Sequence, residues 1–167
     1  METGINARLN PSGRHTDIDD YSQFIPGVAV FALDAMGLKG KHQPKTQVLH
    51  YGFSGLATTA IVIPMKRIVG RVRPNGADNH SFPSGHTSLA FASAEFLHQE
   101  YGHLSPWISV AGYTTAALTG TLRMYNNEHW LGDVLAGAAI GMATTKLVYW
   151  VGGKLKARGT RVKRIVE

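Results

Sequence analysis

Residues 135–145 read LAGAAIGMATT, and a second stretch of the same character, AGYTTAALTGT, occupies residues 111–121. Neither alternates at a period of two, as a half-buried strand would, and both exceed the usual length of a buried strand. Their wealth of Gly and Ala suits helices whose backbones approach closely. Working outward from them, five apolar segments are separated by short polar stretches, at residues 21–38, 48–65, 87–98, 106–122 and 130–151. The expected fold is all-α, a bundle of five to six helices. A polar N-terminal arm (1–20) precedes the helical domain (21–152), and a basic tail (153–167) follows it.

Composition narrows the classes of function. The 167 residues make one domain. The absence of cysteine excludes disulfides, thiolate metal sites and a cysteine nucleophile. Apolar residues make up 44% of the chain and charged residues 17%, against about 25% charged in soluble domains, which points to a membrane. The mean hydropathy of -0.08 pulls the other way. The segments hold about 12 to 22 residues where a spanning helix needs about 20, and Asp34, Glu95 and Lys146 interrupt them. A compact soluble bundle therefore stays open beside a transmembrane one. Residues 1–20 lack the apolar core of a signal peptide, so an internal helix would direct membrane entry.

Three stretches combine the residue types that chemistry needs: KRIVGRVRP (66–74), SFPSGHTSLAF (81–91) and RMYNNEHWLGD (123–133). Taken singly, each has an ordinary explanation. Basic residues collar helix ends, Pro-Ser-Gly makes turns and caps, and a His–Asp pair at i, i+4 contributes only about 0.2 to 0.5 kcal/mol. Connectivity argues otherwise. If successive helices run antiparallel, Lys66 at the end of the second segment, His86 at the start of the third, Arg123 at the end of the fourth and His129 at the start of the fifth meet at one end of the bundle.

That end suits a multiply charged oxyanion such as phosphate. Lys66, Arg73 and Arg123 would hold nonbridging oxygens, and the backbone N–H groups of Ser84 and Gly85 would add donors at a helix N-terminus. His129 Nε2 would attack phosphorus, with Asp133 fixing its tautomer from the Nδ1 side, and His86 would protonate the departing oxygen. This chemistry calls for no metal and no cofactor.

Lys66-x6-Arg73-Pro74, Pro83-Ser84-Gly85-His86 and Arg123-x5-His129-x3-Asp133 resemble the three ordered motifs of the type 2 phosphatidic acid phosphatase (PAP2) superfamily. That superfamily includes membrane lipid phosphatases, soluble bacterial acid phosphatases and vanadium haloperoxidases. The resemblance implies a chloroperoxidase-like core of six helices and a second histidine that acts as nucleophile, here His129. In one departure, Leu122 stands where the third motif usually has Ser. More loosely, residues 19–42 and 122–141 resemble membrane phosphatases of this superfamily from Bacteroides-like bacteria, whose relatives act on undecaprenyl pyrophosphate, phosphatidylglycerol phosphate or lipid A. The implied partners are a lipid phosphate substrate and membrane lipids.

The antiparallel path also sorts the 17 basic residues. Arg8, Arg14, Lys66, Arg67, Arg71, Arg73 and Arg123 fall on the side of the site, and three of these are assigned to phosphate. Ten fall at or near the opposite end: Lys39, Lys41, Lys45, Lys146, Lys154, Lys156, Arg158, Arg161, Lys163 and Arg164. A split of four against ten puts the opposite end in the cytoplasm and the site outside a bacterial inner membrane. Anchoring at an anionic leaflet accounts for the basic tail, so no nucleic-acid partner is expected. A metallohydrolase using His80, His86 and His129 would set a divalent ion among three cations. A non-catalytic membrane scaffold would need neither Lys66 nor His129.

Overall fold

The computed structural model describes the backbone of residues 2–10 and 14–166, with side chains outside residues 2, 3, 5, 7 and 159–166. Seven helices and no strand are present among the described residues: α1 (Glu2–Leu9), α2 (Ile18–Ser22), α3 (Ile25–Ala35), α4 (Pro44–Val69), α5 (Gly85–Tyr101), α6 (Pro106–Tyr125) and α7 (Leu131–Val166). The five apolar segments are α3 to α7, and the arm adds the two short helices. The last helix, 36 residues long, runs through residues 153–166, so the basic tail continues α7 as helix. The side chains of Arg161, Lys163 and Arg164, counted above for sidedness, lie outside the described residues.

Local chemistry sets the helix ends. Pro44 and Pro106 open α4 and α6, where a missing N–H costs nothing. Ser105 caps α6 by accepting the Trp107 N–H, and Ser84 caps α5 by accepting the Thr87 N–H. At the end of α4, Gly70 adopts φ 60° and returns its N–H to the Lys66 carbonyl, a left-handed stop that disfavours side chains.

Helix α5 is the axis of the molecule, in contact with α2, α3, α4, α6 and α7. The small residues of 135–145 explain how α7 approaches it. A Cβ on Gly137 would stand 2.6 Å from the Ser84 carbonyl oxygen, and one on Gly141 would stand 2.1 Å from that of Ser88. From the other side, α6 brings Ala116 against Ala90 and Ala94. A second cluster, of Val30, Phe96, Leu97 and Tyr101, closes α3 over the far end of α5.

The outer helices differ in character. Helix α4 and residues Leu131–Arg158 of α7 are long and apolar enough to cross a membrane. Of the other apolar segments, α3 has only 11 residues and α6 is not apolar enough over its 20. Large apolar side chains stand outward on both candidates: Leu49, Phe53, Leu56 and Ile63 on α4, and Leu135, Leu147, Trp150 and Leu155 on α7.

Candidate active site

Where α4 ends and α5 begins, a cleft of about 370 Å³ is lined by Lys66, Arg73, Gly85, His86, Arg123 and His129, with Thr58, Val62, Ile63 and Leu89 forming a less polar wall. Helix connectivity brings these residues together. The 70–84 loop delivers Arg73, the first turn of α5 carries Gly85 and His86, the last turn of α6 carries Arg123, and the turn that follows carries His129.

His129 precedes helix α7 instead of sharing its face with Asp133, because α7 begins at Leu131. The side chain is almost fully buried, and Nδ1 lies 3.7 Å from Asp133 Oδ2, too far for a hydrogen bond. Among the described residues, Nδ1 is therefore a buried polar atom without a partner, as is Arg123 Nε. Burial, joined by the charges of Lys66, Arg123 and Arg73 and opposed by Asp133, pushes the His129 imidazole down to about 4. It is consequently neutral, with a free lone pair, at physiological pH.

Asp133 is buried and heavily held. Arg71 Nη1 donates to Oδ1 at 2.9 Å, the Trp130 N–H donates to Oδ2 at 2.8 Å, and the Ser81 hydroxyl donates to Oδ2. The reach back to Trp130 is that of an acidic residue in a capping box. Arg71 also lies over the Trp130 ring, 5.6 Å from its centroid.

The expectation for Ser84 needs correction. Its N–H donates to the Asp133 carbonyl at 3.0 Å, and its hydroxyl pairs with Thr87 Oγ1 at 2.8 Å while capping α5. Being fully buried, Ser84 welds α5 to α7 and does not offer its N–H to the cleft. Gly85 does line the cleft, and a Cβ there would come no nearer than 3.8 Å to Lys66.

The cations are occupied by the chain's own oxygens. Lys66 Nζ donates to the His80 carbonyl at 2.6 Å. Arg73 Nε donates to Asp78 Oδ1 at 2.9 Å, and its Nη1 pairs closely with Glu128. Arg123 pairs closely with Asp19, lies 3.4 Å from Glu128 Oε2 and lies 3.9 Å from Asp20 Oδ1. Asp20 Oδ1 also meets His86 Nε2 at 2.9 Å. Burial lowers the His86 pKa and Arg123 lowers it further, against the pull of Asp20 and Asp19.

Asp19, Asp20, Asp78, Glu128, Ser81 and Arg71 were not singled out for the site from the sequence. Arg71, Ser81 and Glu128 stand within the quoted motif stretches, and Asp19-Asp20 is an acidic pair closing an otherwise mixed arm. The arm is fastened here by Asn6 Nδ2, which donates to the His129 carbonyl at 3.2 Å, and by Asn10 Nδ2, which donates to the Tyr125 carbonyl at 3.0 Å.

A model of the PAP2 superfamily matches residues 47–157. The chain is 45% identical over 138 residues to the lipid A 1-phosphatase of Porphyromonas gingivalis, covering 82% of this chain but only 31% of that protein. It is 30% identical over 110 residues to the lipid A 4'-phosphatase of Bacteroides thetaiotaomicron, covering 56% of this chain and 48% of that one. Two crystal structures share the fold. That of Aquifex aeolicus LpxE has a TM-score of 0.65 at 24% identity, covering 89% of this chain and 94% of that one. A transmembrane PAP2 type phosphatidylglycerolphosphate phosphatase from Bacillus subtilis has a TM-score of 0.58 at 23% identity, covering 92% and 85%.

Proposed function

Given that the chain belongs to the PAP2 superfamily, we propose that it is a phosphatase that removes a phosphate group from a membrane lipid through a phosphohistidine on His129. The observation that carries this reading is the shared cleft, in which three cations and two histidines face a less polar wall of α4 and α5. Lys66, Arg73, Arg123 and the Gly85 backbone would bind phosphate oxygens, which would replace the His80 carbonyl on Lys66 and the exposed Asp78 and Asp20 carboxylates on the arginines.

In the first step the His129 Nε2 lone pair forms a bond to phosphorus and the bond to the leaving oxygen breaks. That oxygen takes the proton of His86. In the second, water attacks phosphorus, gives a proton to the now neutral His86, and the P–N bond breaks to restore His129. Asp133, fixed by Ser81, Arg71 and the Trp130 N–H, would close the 3.7 Å gap to Nδ1 as positive charge develops on the imidazole. Once turned to the substrate, the three cations would perform the electrostatic task of a metal ion, so the proposed hydrolysis is metal-independent.

A bilayer location is supported by the two helices capable of spanning and by their outward apolar side chains. The four-against-ten division of basic residues supports an active site on the outer face of an inner membrane. Among lipid phosphates, lipid A leads because the relatives named above include enzymes for its 1- and 4'-phosphates. Phosphatidic acid, phosphatidylglycerol phosphate and undecaprenyl pyrophosphate are the competitors.

The test is phosphate release by detergent-purified protein from these four lipids and from small soluble monoesters, each with and without EDTA. A long-chain lipid should exceed the soluble monoesters in kcat/KM by at least about tenfold, because its remote chains help to position the head group. Equal rates on both, from protein that stays in solution without detergent, would replace this reading with a soluble acid phosphatase. No release from any of them, with His129→Ala indistinguishable from wild type in every other property, would leave the non-catalytic scaffold.

A further inference from the structure

At the other end of α4 and α5 lies a group that the proposed hydrolysis does not use. His42 precedes α4, His50 is in its second turn, and Glu100 closes α5. Each can offer one donor atom, and the three atoms lie within 4.8 Å of one another. From His50 to Lys66, about 1.5 Å of rise per residue along α4 gives about 24 Å, so this group is remote from the cleft.

Glu100 is fully buried. Its Oε1 meets His42 Nδ1 at 2.9 Å and accepts the Tyr149 hydroxyl at 2.6 Å. Oε2 accepts the His42 N–H at 2.9 Å and the Gln47 amide at 3.4 Å. The His50 ring stands edge-on to that of His42, with centroids 4.9 Å apart. Hydrogen bonding accounts for Glu100 and His42 but not for the remaining atoms. Among the described residues, His50 Nδ1 is buried without a partner, and so is Gln47 Oε1. A Cβ on Gly152 would stand 2.8 Å from His50 Nε2, so glycine at that position keeps the imidazole clear.

Two imidazoles and a carboxylate are the donor set of a tetrahedral zinc site with one further position. Zn–N and Zn–O bonds of about 2.0 to 2.2 Å place donors about 3.3 Å apart. The His42–Glu100 pair is already close to that separation. His50 would close by at most about 1.5 Å, within reach of a side-chain rotation. The fourth ligand would be water, for which Gln47 Oε1 is an available acceptor. Calcium and magnesium are disfavoured because they prefer all-oxygen shells. His42 is partly exposed, which gives an ion a way in.

We propose that His42, His50 and Glu100 bind a divalent transition-metal ion, Zn²⁺ by preference, which clamps the 37–43 loop to α4, α5 and, through Tyr149, α7. The clamp is independent of the phosphatase reading and takes no part in the hydrolysis.

The test uses the untagged full chain in detergent, first stripped with chelator, and titrates it with Co²⁺ and then Zn²⁺. The expected result is one equivalent of Co²⁺ with the visible bands of four-coordinate metal, displaced by Zn²⁺, together with a rise in Tm on Zn²⁺ addition. His42→Ala and the near-isosteric His50→Gln should each weaken Co²⁺ binding at least about a hundredfold and lose the rise in Tm, whereas His98→Ala should keep both. Circular dichroism and elution volume establish that each variant is folded without reference to activity. Absence of saturable Co²⁺ binding by the wild type would overturn the site, as would binding that survives in folded His50→Gln. If phosphate release fails while Co²⁺ binds as described, the phosphatase reading falls and the metal site stands.

Discussion

Where α5 begins, two arginines hold four carboxylates drawn from three separate stretches: Asp19 and Asp20 from the arm, Asp78 from the 70–84 loop, and Glu128 from the turn before α7. Where α5 ends, one carboxylate, Glu100, draws on His42, Gln47 and Tyr149. Part of the first set is exchangeable, while Asp19 stays buried against Arg123. Asp20 and Asp78 are 53% and 42% exposed, and exposed pairs contribute about 0 to 1 kcal/mol each, so an incoming phosphate can replace them at little cost. The second is fixed, because Glu100 is wholly buried and stripping a partner from it exposes the full desolvation cost. Substrate binding suits the first arrangement, and fastening suits the second.

The contrast breaks most visibly at the nucleophile. His129→Ala should reduce single-turnover phosphate release by at least about a thousandfold, since no neighbouring group replaces the imidazole. The acid-labile phosphoenzyme trapped from wild type should vanish with it. Next come the cations. Arg73→Ala or Arg123→Ala should each lower kcat/KM by about a hundredfold to a thousandfold, the usual loss on removing a donor to developing charge. A loss below about fivefold for Arg123→Ala would mean that its carboxylate partners, not phosphate, are its purpose.

The pH profile gives a smaller and more pointed test. Reaction needs His129 neutral and His86 protonated, so kcat/KM should rise through a pKa near about 4 and fall through one below the ordinary histidine value of 6.5. Asp20 raises the His86 pKa, so Asp20→Asn should move the alkaline limb to lower pH while leaving the acid limb in place. At pH 7 this amounts to a loss of about threefold to tenfold. An alkaline limb that stays put would remove His86 as the acid. The smallest effect on catalysis belongs to the far end: Glu100→Gln should lower Tm by several degrees yet change kcat/KM by less than about twofold. A large change in kcat/KM would show that the two ends are coupled.

The amino-acid sequence made the bundle legible because each long helix carries its own signal. Small residues at 111–121 and 135–145 announce close packing, and Gly141 against Ser88 shows why nothing larger fits. Lys66, Arg73, His86, Arg123 and His129 could be gathered from helix order alone. What could not be read was the counter-charge. Asp19 meets Arg123 across 104 positions, and the arm that carries it has no periodicity pointing to the cleft. Ser84 misled for another reason: a helix-capping serine and an anion-binding serine look alike until the partner of the N–H is known, and here it is the Asp133 carbonyl. The end of α7 was placed too early because basic residues were read as a tail, although Lys and Arg are good helix formers.

The enclosure of α5 bears on how the protein is made. Glu95 and Glu100 are both fully buried on this helix, with partners on α4, α6, α7 and the 37–43 loop. A segment bearing two unpartnered carboxylates does not leave a translocation channel for hydrocarbon by itself. It would have to wait beside the channel, held by α4, until α6 supplies Tyr113 and α7 supplies Lys146 and Tyr149. Burial of α5 would then follow the synthesis of α7, and a ribosome stalled before residue 146 would leave α5 still accessible to water and to protease.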